Sequence, residues 1–127
     1  MGILIKGLDH FQICVPGGEE NTAKSFYLDL LQFVEVEKPE ALKENGGFWC
    51  SAGEVNLHIG VEAFEKTISK RHPAFLVDDI HEARNVLQKH NVPIKEETPI
   101  PGIKRFSFYD PFMNRIEFLQ RTSDDSR

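Results

Sequence analysis

Asn114-Arg115-Ile116-Glu117-Phe118-Leu119 places a carboxylate inside an apolar run. It follows Phe106-Ser107-Phe108-Tyr109 and the turn Asp110-Pro111-Phe112-Met113. A buried carboxylate is costly unless a positive group meets it. Strand alternation offers another reading, with Glu117 on a solvated sheet face. What decides between them is whether other residues along the chain occupy matching positions.

Working backward from Glu117, residues 104–109 and 114–120 read as a closing pair of strands. Residues 98–103 form a loop with two prolines and a glycine, and 92–97 a short strand. Before them, Ile80, Ala83, Val86 and Leu87 give a helix one apolar stripe. Asp79 is its N-cap, with Glu82 at capping-box spacing. His90-Asn91 closes it, because Asn tolerates the left-handed cap conformation and a cationic His90 suits the helix C-terminus. His72-Pro73-Ala74-Phe75-Leu76-Val77 is a strand opened by a histidine.

The first half repeats this order. Leu8-Asp9-His10-Phe11-Gln12-Ile13-Cys14-Val15 alternates, with Phe11, Ile13 and Val15 on one side and His10, Gln12 and Cys14 on the other. Ala23, Phe26, Tyr27, Leu30 and Leu31 make the stripe of a helix starting near residue 20. Residues 33–38, 47–51 and 54–61 read as strands, and 39–46 as a polar loop. In the last of these strands Val55, Leu57, Ile59 and Val61 oppose Asn56, His58 and Gly60. The N-terminal Ile3-Leu4-Ile5 is strand-like as well. Each half is therefore strand-helix-strand-strand-strand. His10 and His72 hold the same place in each half, as do His58 and Glu117, and an internal duplication explains this. The expected chain is a single domain, with module one at 1–62, a charged connection at 63–71, module two at 72–120 and a polar tail at 121–127.

Composition narrows the function. The 127 residues carry a net charge of −5 without a long basic run, which argues against nucleic acid as a partner. No apolar run is long enough for a membrane span, and the N-terminus lacks signal-peptide features. Cys14 and Cys50 show no metal or redox spacing and read as free thiols in a reducing cytoplasm. A small-molecule or protein partner is left.

His10, His58, His72 and Glu117 are each the polar member of an apolar strand, on the face opposite its core-packing row. If helices cover one face of each sheet, all four point to the uncovered side. Three imidazoles and a carboxylate suit a divalent metal, and the metal would supply the charge Glu117 needs. Gln12, Cys14 and Asn56 share that phase, as do Arg105, Ser107 and Tyr109. Arg105 suits a carboxylate or phosphate on a substrate, and its alternative reading is a surface cation. Tyr109 suits an oxyanion or a pocket rim. Cys14 reads as a small apolar filler. His81 and His90 lie on the second helix and read as surface residues.

Leu8-Asp9-His10, Ser25-Phe26-Tyr27 with Leu30-Leu31-Gln32-Phe33, His72-Pro73-Ala74-Phe75 with Val77-Asp78-Asp79, and Phe108-Tyr109-Asp110-Pro111 with Asn114-Arg115-Ile116-Glu117 resemble the vicinal oxygen chelate superfamily. That group contains glyoxalase I, extradiol dioxygenases, methylmalonyl-CoA epimerase, and the fosfomycin and bleomycin resistance proteins. The resemblance spans nearly the whole chain. It implies an α+β fold of two paired βαβββ modules, a curled mixed sheet around a cavity with helices outside. It carries metal-ligand roles onto His10, His72 and Glu117. His58 matches a position that is a ligand, an acid–base residue or neither across the family. Gln32 and Met113 depart from the family pattern, standing where glycine is common and φ is positive.

The leading expectation is a cytoplasmic, homodimeric, divalent-metal-dependent enzyme acting on a small oxygenated molecule whose oxygens chelate the metal. The ion is Zn, Ni, Co, Mn or Fe(II), held by His10, His58, His72 and Glu117. His58 and Tyr109 are the catalytic candidates; Arg105, Gln12, Asn56 and Ser107 the substrate-binding ones. Isomerase, lyase and extradiol-type dioxygenase chemistry all fit, the last through a two-histidine, one-carboxylate set for iron(II). The alternative is a metal-free protein that binds a drug, antibiotic or metabolite, with Trp49, Phe48 and Phe112 lining an apolar pocket. A third is a partner-binding subunit with a vestigial site.

Overall fold

The structure is a computed structural model that describes residues 2–63 and 67–122. The chain divides into two compact units, Met1–Phe64 and Glu65–Arg127. The expected tail at 123–127 lies outside the described residues, as do residues 64–66 of the expected connection.

Unit 1 runs β1 (Phe11–Val15), α1 (Glu20–Lys24), a π-helical stretch (Ser25–Leu30), β2 (Val34–Val36), a 3₁₀ turn (Glu40–Asn45), β3 (Phe48–Ala52) and β4 (Val55–Val61). Its four strands are ordered β1-β4-β3-β2, with β1 parallel to β4 and the others antiparallel. Ile13, Val15, Phe48, Cys50, Leu57 and Ile59 face one side and are buried, together with Ala23, Phe26 and Tyr27 of the helical segment. Lys24 lies 5.5 Å over the Phe48 ring, which shows that the helix covers this face. Phe48 is thus a core residue and not the pocket wall the alternative reading required.

The first helix differs from expectation. A 3.6-residue period puts Ala23, Phe26, Tyr27, Leu30 and Leu31 on one stripe, but the amide of Leu31 bonds the Phe26 carbonyl five residues back at 3.0 Å. The wider turn rotates the end of the stripe, and Leu30 and Leu31 are only half-buried. The expected loop at 39–46 contains the 3₁₀ turn. β1 begins at Phe11, three residues late, because its pairing with β4 starts there. The Ile3-Leu4-Ile5 run forms no strand, and all three are at least 88% exposed.

Unit 2 runs β5 (Ala74–Leu76), α2 (Ile80–Lys89), β6 (Ile94–Glu96), β7 (Ile103–Tyr109) and β8 (Arg115–Arg121), ordered β5-β8-β7-β6. β5 is parallel to β8 and the remaining pairs are antiparallel. The order and directions match unit 1 strand for strand, and the α+β class follows. Phe75, Phe106, Phe108, Ile116 and Phe118 make the buried row, with Ile80 and Leu87 of α2 also buried. Arg84 lies 4.7 Å over the Phe106 ring, placing α2 on that face. Asp79 caps α2 as expected, accepting from the amides of His81 and Glu82 at 3.1 and 3.0 Å. Asn91 closes it at φ 58°. Phe112, the other apolar pocket candidate, is buried at 3% exposure.

Candidate functional site

The strand registers carry the duplication down to single residues. Gln12, two residues after His10, pairs with His58. Ala74, two residues after His72, pairs with Glu117. Each unit therefore brings together two of the four candidate ligands on the face away from its helix. Among the described residues no three His, Cys, Asp or Glu side chains form one metal-binding group.

In unit 2, Glu117 is buried (5% exposed), so the solvated-face reading is overturned. Its Oε1 lies 3.0 Å from His72 Nε2, and its Oε2 accepts from Arg105 Nη1 at 3.3 Å. His72 Nδ1 lies 2.7 Å from the Lys70 carbonyl. A carbonyl can only accept, so Nδ1 carries a proton and Nε2 is the ring atom that faces Glu117. The 3.0 Å contact is bridged by a proton that Nε2 donates or, in its place, by a metal ion. A backbone carbonyl fixing the ring tautomer is the support a metal-ligating histidine uses. This donor set fits a divalent ion.

Beside this pair lies a network in which Glu97 and Arg115 were not singled out from the sequence. Glu97, just beyond β6, has a side chain only 7% exposed and accepts from Ser107 Oγ and from Arg115 Nη2. Lys95 Nζ stands 3.6 Å from its other oxygen. Burial raises the Glu97 pKa, but the Ser107 and Arg115 hydrogen bonds and the charges of Arg115 and Lys95 more than offset it, and the carboxyl is held below its usual range. Arg105 also donates to the Thr98 carbonyl from Nη2 at 2.9 Å. Ser107 is fully buried and Tyr109 half-buried, and no hydrogen bond of the Tyr109 phenol is present among the described residues. The signal for Glu97 and Arg115 was alternation: both share the phase of Glu117 and Ser107, but flanking charges made Glu97 look like a solvated end.

In unit 1, the cross-strand row Val36–Trp49–His58–Gln12 runs over all four strands. Trp49 and His58 stack at 3.8 Å with planes 5° apart, and His58 stacks on His10 at 3.9 Å and 14°. His10 Nδ1 bonds Asp9 Oδ2 at 2.8 Å. Burial lowers the His58 pKa most, and His10 and Lys38 lower it further against the opposing charge of Asp9. His58 is thus neutral at pH 7 and keeps a lone pair for a proton or a metal. Asn56 Nδ2 donates to the Asp9 carbonyl at 3.4 Å. Gln12 lies across Gly60, where any Cβ would collide with its amide. These side chains line a groove of about 950 Å³ together with Val36, Lys38 and Leu42. Cys14 and Cys50 form no disulfide. Burial and the Glu35 charge push the Cys50 thiol up to about 12, and burial and Glu62 raise that of Cys14. Neither is poised as a nucleophile.

Among the described residues no helix is long and apolar enough to cross a membrane. No curated protein matches the chain. Among solved structures, a glyoxalase family protein from Bacillus anthracis is 39% identical, with a TM-score of 0.87, covering 95% of this chain and 99% of that one. The fosfomycin resistance protein FosX from Listeria monocytogenes is 17% identical, with a TM-score of 0.75 and coverage of 92% and 94%. A variant of that FosX, complexed with Mn(II) and 1S,2S-dihydroxypropylphosphonic acid, is 19% identical with a TM-score of 0.78, covering 94% and 95%. These two likenesses show a shared fold. A profile of the Glyoxalase/Bleomycin resistance protein/Dioxygenase superfamily matches residues 7–118. With the register-level duplication and the 39% identical relative, that match places the chain in this superfamily, the vicinal oxygen chelate group.

Proposed function

We propose that the protein is a divalent-metal-dependent enzyme acting on a small oxygenated molecule, with His10, His72 and Glu117 as ligands and His58 as fourth ligand or base. The observation that carries this is the His72 Nε2–Glu117 Oε1 pair, a nitrogen and a carboxylate oxygen 3.0 Å apart with the histidine ring held by a backbone carbonyl at Nδ1. FosX, a fold relative, takes Mn(II). A divalent ion bound here supplies Lewis-acid stabilisation of negative charge on substrate oxygens.

The chain's own residues account for the rest. Neutral His58 accepts a proton from the substrate or holds the ion. The Tyr109 hydroxyl donates to an oxyanion. Gln12 and Asn56 orient polar substrate groups, Arg105 exchanges its Glu117 contact for a substrate anion, and Ser107, expected beside them, is fully buried against Glu97 and acts only through it. Isomerase, lyase and dioxygenase reactions share these requirements, and assembly as a homodimer belongs to the same proposal. The test is metal content and thermal stability of wild type against a His72→Ala/Glu117→Ala double variant. At a metal concentration a hundredfold above Kd, Zn, Ni, Mn or Fe(II) stabilises wild type by about 2.7 kcal/mol and leaves the variant unchanged. Equal responses of the two proteins would overturn the reading.

A further inference from the structure

The unit 1 groove has an electrostatic and a geometric peculiarity. Its floor is a three-ring stack, His10–His58–Trp49, whose adjacent planes lie within 14° of each other. The stack runs across strands, so the next neighbour beyond Trp49 is Val36 on β2. Val36 is far shorter than an indole and is 40% exposed, and it and Trp49 both line the groove. Aromatic faces favour parallel or edge-on aromatic neighbours, and the next residue along the row, Val36, supplies no ring.

Two residues further along the chain, on the same side as Val36, stands Lys38. Its Nζ donates to the Gly46 carbonyl at 2.6 Å, which anchors the ammonium and leaves two of its donors. Among the described residues no carboxylate lies within 4.0 Å of it. Lys24 and Lys43, by contrast, pair with Glu35, and with Glu37 and Glu40. The groove's single lining carboxylate, Asp9, is committed to His10. Besides Lys38, its other polar side chains are the amides of Gln12, Asn45 and Asn56 and the imidazoles of His10 and His58.

We propose that this groove binds a flat, conjugated organic carboxylate, its ring extending the stack on Trp49 and its carboxylate paired with Lys38. This names the substrate class and rests on the metal-enzyme reading for its catalytic meaning, but the binding surface itself requires no metal. Lys38 is then the specificity-determining residue, and Trp49 the platform.

Trp49 is the only tryptophan in the chain, so its emission reports directly on the groove. Chelator-treated full-length protein is titrated with benzoate, with benzyl alcohol, which lacks the charge, and with cyclohexanecarboxylate, which lacks the flat ring. Benzoate is expected to change Trp49 emission saturably, and the other two at least fivefold more weakly. Lys38→Met should weaken benzoate about tenfold, the scale of a lost charge-assisted hydrogen bond, and Lys38→Arg should restore most of it. Equal binding of all three probes, no saturable response to benzoate, or a Lys38→Met variant that binds like wild type would each overturn the proposal. The same samples titrated with Mn(II) and followed by thermal stability keep the two readings apart. Benzoate selectivity without metal stabilisation removes the metal enzyme and leaves this groove standing, and metal stabilisation without benzoate selectivity does the reverse.

Discussion

Arg105 does in this structure what a bound ion would do: it brings positive charge to a buried carboxylate. Its side chain is 19% exposed and that of Glu117 7%, so the pair sits in a largely water-excluded setting. Breaking one side of such a pair leaves an uncompensated charge and costs about 3 kcal/mol. Arg105→Met is therefore expected to lower the stability of chelator-treated protein by roughly that amount. Added divalent metal should restore more stability to the variant than it gives wild type, because the metal replaces the missing charge and meets no competing guanidinium. Denaturant melts with and without metal check this, and a variant as stable as wild type in chelator rules it out. Glu97 supports a second test. Its folded pKa lies below the unfolded value, chiefly because the Ser107 and Arg115 bonds overcome the effect of burial. The stability it contributes is present above the unfolded pKa of about 4.3 and is lost as pH falls through the lower folded value. Glu97→Gln keeps acceptors for Ser107 and Arg115 but drops the charge. It should cost about 1–3 kcal/mol at pH 7, with the gap to wild type closing as pH falls below about 4. A gap independent of pH would show that the carboxylate's charge contributes nothing.

At the scale of elements, most of the fold could be read from periodicity, and the failures share a cause. Strand phases followed from alternation because one face of each sheet is buried. Pairing partners decide where strands end, which is why β1 starts at Phe11 and not at Leu8. The π-helical stretch escaped because a 3.6-residue stripe cannot signal an inserted residue. The turns were legible for a different reason. Gln32 and Met113 stand where the resemblance led to the expectation of glycine, and both lie in the left-handed region, at φ 66° and 71°. A side chain there costs about 1 kcal/mol that glycine avoids. Gln32→Gly and Met113→Gly should each raise the denaturation midpoint, by up to about 1 kcal/mol in stability, since the native conformation outweighs glycine's added unfolded-state entropy. The outcome that would deny backbone strain at these turns is a loss of stability in both variants. Gly47 is the opposite case: at φ 77° its missing Cβ would run into the Ile59 carbonyl, and Gly47→Ala should destabilise strongly.

For the molecule as a whole, the duplication made half of the candidate site legible. Matching places in two repeats set His10 against His72 and His58 against Glu117, and the registers add that within each unit His10 lies with His58 and His72 with Glu117. Glu97, Arg115 and the Trp49 stack were not legible, since cross-strand neighbours depend on a register that no single strand encodes. What the repeat leaves open is whether the two pairs serve one ion. Trp49 can decide it. Its ring lies 3.8 Å from that of His58, so a paramagnetic ion held by His58, such as Ni(II), Co(II) or Mn(II), should quench its emission. His58→Ala should abolish the quenching. If the four residues hold a common ion, within one chain or across a dimer, His72→Ala, a substitution in the other unit, should weaken the quenching at least tenfold in apparent metal affinity, the scale expected for loss of a ligand or its support. If His72→Ala leaves the metal titration of Trp49 unchanged, the His10–His58 pair binds metal by itself, and the four-residue shell is the wrong description of this site.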